Sequence, residues 1–135
     1  MTGERDLDAL LSNMNPEILD GIFVFCTLAP NASIPATISP MLTFREREGT
    51  TLVMLHEQAE RAGLRHEFSS RLITLTVRSA LDAVGFLAAI TARLAEAGIS
   101  VNAVSAFYHD HLFVPVDRAD EALAVLQDMA KARSA

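Results

Sequence analysis

An α+β fold, an antiparallel sheet with helices on one face, is predicted by three features of the sequence. Helical and strand-like periodicities alternate along the chain, and its second half reads strand, helix, strand, strand, helix. Half of the residues are hydrophobic in a chain of 135, enough for one ordinary domain or for two very small ones sharing a core.

The elements follow in order. Leu7, Leu10, Leu11 and Met14 fall at i, i+3, i+4 and i+7, the stripe of a short helix that Asn15-Pro16 stops. Ile22 to Leu28 is apolar on both alternating faces and predicts a well-buried strand. Residues 29–40 carry Pro30, Pro35 and Pro40 among small and polar side chains and predict a loop, a lid or slack. Met41 to Arg45 reads as a strand, Glu46 to Gly49 as a turn, and Thr51 to Leu55 as the returning strand. Glu57 to Ala62 is a short helix that Gly63 ends. From Arg71 to Arg78, Ile73, Leu75 and Val77 alternate with threonines, a strand with one buried face. Leu81 to Ala97 predicts the best helix, its stripe made of Phe86, Leu87, Ile90 and Leu94, with Ser79 or Asp82 as its cap. Ile99 to Tyr108 is a strand, His109-Asp110 a tight turn, and His111 to Val116 the returning strand. Asp117 caps a last helix buried along Ala119, Ala122, Leu123, Leu126 and Ala130.

Strand–helix–strand–strand–helix–strand is the ferredoxin-like plan, and the second half carries it without its final strand. The first half reads as the same plan without its opening strand. Two incomplete halves, 1–70 and 71–135, are therefore predicted, each lacking an edge strand that the other can cover. The repeat is one of topology rather than of residues.

Composition excludes several functions. The formal charge is −6 and the pI about 5.1, with no tryptophan, one tyrosine and no basic cluster, which argues against nucleic acid. Cys26 is the single cysteine, so no intrachain disulfide forms and a cytoplasmic protein is expected. The polar start, Met1 to Asp6, is unlike a signal peptide, and no apolar run reaches membrane-spanning length. The glycines are spaced singly, giving no phosphate loop, and Cys26 has no basic neighbour to make it a nucleophile. Neither an enzyme nor a cofactor is expected.

Asp82-Ala83-Val84-Gly85-Phe86-Leu87, followed by Ala97-Gly98-Ile99-Ser100-Val101, resembles the signature of the ACT domain family. There an Asp-x-Pro-Gly turn leads into an apolar helix, and Gly-Ile opens the next strand. Asp6 to Leu11, Phe23 to Cys26, Thr43 to Glu46, Glu48 to Val53, Ile73 to Val77 and Tyr108 to Pro115 extend the resemblance to short bacterial tandem-ACT proteins. Val84 departs from the signature's proline, and the 29–40 loop is longer than usual. The resemblance implies a stand-alone regulatory sensor or adaptor that binds a small ligand, most often an amino acid, between neighbouring ACT units. It also implies edge-to-edge pairing, hence a homodimer, with a further protein partner left open.

An amino acid is a zwitterion. Its carboxylate suits the free N–H groups at a helix start, and Gly85 lets it approach the backbone there. Asp82 is the acid within reach of its ammonium group. Val84 and Phe86 beside that turn, with Asn102 and Val104 on the neighbouring strand, complete the expected ligand site. Each residue also has a structural use: Asp82 as an N-cap, Gly85 for close packing, Phe86 as core. Two rival functions stand beside this one. The fold is a dimerisation scaffold without a ligand, or His109, Asp110 and His111 form a metal or general-base site. Two histidines are too few for a structural zinc, and His56 and His66 lie far from them in sequence.

Overall fold

The computed structural model describes residues 3–134. Asp6 opens the first helix, α1 (Leu7–Ser12), by accepting the Ala9 amide at 3.0 Å, the expected work of an N-cap aspartate. The strands β1 (Pro16–Ile18), β2 (Phe23–Leu28), β3 (Leu42–Arg45) and β4 (Thr50–Leu55) follow, then the helix α2 (His56–Arg61) and the ten-residue strand β5 (His66–Leu75). The helix α3 (Phe86–Glu96), the hairpin β6 (Asn102–Ser105) and β7 (Asp110–Pro115), a single 3-10 turn and the helix α4 (Ala119–Ser134) complete the chain.

These elements form two compact units, residues 21–70 and residues up to 20 joined with those from 71 onward. In the first, β2 pairs antiparallel with β4 and with residues 66–70 of β5, while β3 pairs with β4. Val24, Cys26, Ile38, Leu52, Met54 and Ala59 make its core. In the second, β1 pairs antiparallel with residues 73–75 of β5, and β6 with β7. The strand missing from the C-terminal plan is thus β1, drawn from the start of the chain. A core of α1, α3, α4 and the inner strand faces includes Leu10, Leu11, Leu75, Ile90, Leu94, Leu112 and Leu126.

Several boundaries differ from those predicted. β1 has no pattern of its own and is held by the register Pro16↔Leu75 to Ile18↔Ile73. β5 starts at His66 rather than Arg71, because cross-strand pairing with β2 holds a polar stretch extended. Neither Ser79 nor Asp82 caps the long helix. The Ala83 amide closes a turn on the Ala80 carbonyl, and Gly85, left-handed at φ +94°, is the N-cap residue, so the helix cannot begin before Phe86. The hairpin turn lies at Phe107-Tyr108, closed by the Ala106 amide on the His109 carbonyl, and Asp110 already belongs to β7. Asp117 sits inside the 3-10 turn, whose N-cap position is Pro115.

Candidate functional site

Alternation along β7 turns Asp110, Leu112 and Val114 toward the helices. Asp110 is therefore a buried carboxylate, 6% exposed, and it accepts hydrogen bonds from the hydroxyls of Ser105 at 2.6 Å and Ser79 at 3.0 Å. Ser105 is its cross-strand partner, and Ser79 lies in the segment that leaves β5. The two serines satisfy the acid that burial would otherwise penalise.

Residues 79–81 separate two cavities. One, about 60 Å³, reaches the start of α3 through Ala83, Phe86 and Leu87 and has Asp110 in its wall. The other, about 280 Å³, is bounded by Arg5, Arg78, Leu81, Asp82, Phe107 and Tyr108. Glu4 fixes its N-terminal wall by bridging to Ser79: its amide donates to the Arg78 carbonyl at 2.7 Å, and its carbonyl accepts from Ala80 at 2.9 Å. Gly3 lies so close to the backbone of Ser79 that an added Cβ would come within 2.5 Å of it. The Arg78 guanidinium stands 4.7 Å from the centre of the Tyr108 ring, a cation–π contact. Asp82 is paired with Arg5 through two contacts, 2.9 and 3.3 Å, on the open rim.

At the start of α3, Gly85 offers no side-chain cap, and no acidic residue occupies the first turn, so the positive end of the helix dipole is not offset locally. Asp82 borders the larger cavity and Phe86 the smaller. Phe86 is also core, 3% exposed, whereas Val84 is 85% exposed. Asn102 and Val104 are not brought to this place. Their cross-strand partners are Phe113 and His111, which puts them on the face opposite Asp110.

The same alternation breaks up the rival His109-Asp110-His111 constellation. The two imidazoles are 6.4 Å apart, ring to ring, while Asp110 points inward to its serines. His111 Nδ1 is 2.9 Å from the Thr74 hydroxyl. Burial, with a smaller push from His109, holds its pKa below the usual 6.5, against an opposing pull from Asp110. Cys26 is buried, and burial raises its thiol pKa, as an inert core thiol requires.

Arg5, Arg78 and Ser79 escaped sequence reasoning. The one signal was an arginine placed directly after an alternating strand, a common way to end one.

Two family models, each described as ACT domain, match residues 2–71 and 67–128. The chain belongs to the ACT domain family. ACT domains are regulatory modules, here in tandem, on the ferredoxin-like fold. A Vibrio cholerae protein of unknown function, described as a possible transport protein, is 46% identical with a TM-score of 0.83, over 92% of this chain and 95% of that one. An Agrobacterium tumefaciens protein shares the fold at 21% identity and TM-score 0.73, over 85% and 87% of the two chains. The regulatory subunit of aspartate kinase from Thermus flavus shares it at 11% identity and TM-score 0.59, over 84% and 95%. No functionally curated protein matches in sequence. No helix among the described residues is long and apolar enough to cross a membrane.

Proposed function

We propose that this ACT protein binds a small amino acid beside the start of α3. The observation that carries the reading is the uncapped, glycine-led helix N-terminus set three residues after Asp82, next to a cavity with both signs of charge on its rim. The ligand's carboxylate meets the first amides of α3, with Gly85 admitting it to the backbone and Val84 and Phe86 flanking it. Its ammonium group meets Asp82, which exchanges its ion pair with Arg5 for the ligand. An exposed pair of this kind is held by little free energy, so the exchange costs little.

Exposed Leu81, Phe107 and Tyr108 on the cavity wall support a second copy of the chain as its cover. Asn102 and Val104, on β6, whose pairing partner is β7, belong to the edge along which that copy would pair. Ligand bound between two copies favours the paired arrangement through its differential affinity for it.

A thermal-shift screen against the twenty amino acids tests the reading. A ligand at about a hundred times its Kd adds about 2.7 kcal/mol, a rise of several degrees. Asp82→Asn abolishes that shift while leaving the ligand-free Tm unchanged, and light scattering records dimer formation with ligand. Silence across the panel favours the second reading, a pairing scaffold. The present engagement of Asp82 by Arg5 is the observation on its side.

A further inference from the structure

We propose that His56, Glu60 and His66 form a binding site for a divalent transition ion of the zinc class. The three residues stand in the unit of residues 21–70, apart from the chemistry of the proposed amino-acid site. Each offers one donor atom, and these atoms all lie within 4.8 Å of one another. Two imidazole nitrogens and one carboxylate oxygen are a donor set that suits zinc and its neighbours rather than calcium or magnesium. Three protein donors also leave a position for water or a further ligand.

The local fold prepares the site. His56 and Glu60, four apart on α2, project from one helical face. Gly63, left-handed at φ +66°, ends the helix. Its amide donates to the Glu60 carbonyl at 3.1 Å, and the Leu64 amide donates to Ala59 at 2.9 Å. Those two bonds make a Schellman close, which fixes the reversal that carries the chain into β5. There His66, registered opposite Cys26, returns beneath the helix, with its ring 4.9 Å from that of His56 and nearly perpendicular to it. All three donors thus stand on a helix and a strand, with no loop residue among them.

The rearrangement needed is of ångström size, since the wider donor pairs, within 4.8 Å, close by at most about 1.5 Å around a tetrahedral ion. His66 Nε2 lies 2.7 Å from Glu60 Oε2. Tetrahedral bonds of about 2.0–2.1 Å place donor atoms about 3.3 Å apart, so this pair opens by about 0.6 Å around an ion. Glu60 and both half-buried imidazoles reach the surface, which leaves the ion an entry path.

The test uses untagged protein, stripped with a chelator and titrated with Zn²⁺ and Co²⁺. One equivalent per chain is expected by calorimetry, with visible Co²⁺ absorption bands of low-coordinate geometry. His56→Ala and His66→Ala each weaken binding by at least about tenfold, as does Glu60→Gln, while His109→Ala leaves it unchanged. Circular dichroism checks the fold of each variant. If a histidine variant fails to fold, Glu60→Gln, at an exposed position, and zinc-induced imidazole shifts in the wild-type NMR spectrum decide. Absence of binding at micromolar metal, binding retained in both folded histidine variants, or shifts confined to His109 and His111 would overturn the proposal.

Discussion

Among the described residues, fourteen buried side chains, drawn mainly from three helices and the inner faces of strands, form the core cluster of the unit that joins the start of the chain to its second half. The unit of residues 21–70 closes on a cluster of six under a single helix of six residues, with Phe23 and Val53 buried outside that cluster. A small core leaves less hydrophobic free energy to offset chain entropy, and such units rely more on specific links. The Schellman close after α2 and the His66–Glu60 contact are links of that kind. The larger unit, by contrast, buries a carboxylate in its wall and leaves a helix start without a side-chain cap. The comparison teaches that the larger unit sets its buried acid and open helix start against an extensive core, whereas in the smaller unit the polar groups proposed to hold a metal stand where the close of its only helix also holds the fold.

Large-to-small substitutions test this most severely. Ile90→Ala, fully buried among α1, α3 and α4, should cost about 3–5 kcal/mol in a urea titration. Leu52→Ala should cost about 2–3 kcal/mol, because the smaller core collapses more readily around the gap. The reverse order would break the comparison. Native-state hydrogen exchange sharpens it, with the amides of α2 and β3 opening at lower free energy than those of α3 and α4.

Asp110→Ala comes next, at about 1–2 kcal/mol, since it removes the acceptor of two serine hydroxyls, of which that of Ser105 stays open to water. Asp110→Asn, which keeps an acceptor, should recover part of that loss. A Gly63→Ala substitution meets no atom within 4 Å, so its cost, about 1 kcal/mol, is backbone strain alone at φ +66°. A larger effect would mean that the close after α2 carries more of the small unit than its core does.

The smallest effect is one of pH. His111 has a folded pKa below 6.5, so between the two values the unfolded chain holds more protons than the folded one. Its contribution to stability is full above pH 6.5 and is lost as pH falls through that window. An NMR titration of the His111 ring should give a midpoint below 6.5. A midpoint at or above it would remove this contribution.

Much of the fold was legible in the chain. The stripe of Leu7, Leu10, Leu11 and Met14, the alternation before Arg78 and the stop at Gly63 each express one dominant local preference. β1 was not legible, because Pro16-Glu17-Ile18 becomes a strand through its partner and not through its own pattern. The start of α3 was misplaced because apolar Leu81 and Val84 continue the periodicity into a turn that one left-handed glycine closes. At the candidate site, Asp82 and Gly85 were visible through the family resemblance. Asp110 was not, since His-Asp is good turn chemistry, and it is the shift of the turn by two residues, to Phe107-Tyr108, that places Asp110 in β7 with its side chain turned inward. The trio at α2 joins residues ten positions apart through a chain reversal, and sequence spacing alone does not report that.

The placement of Tyr108 has a consequence for how this protein can be observed. It is the chain's single tyrosine, there is no tryptophan, and its ring lies in the wall of the larger cavity under the guanidinium of Arg78. The intrinsic fluorescence of the unlabelled protein therefore originates at that cavity wall. A molecule that enters the cavity and draws Arg78 away from the ring changes the emission directly, so the chain carries its own optical reporter at the place where binding is proposed.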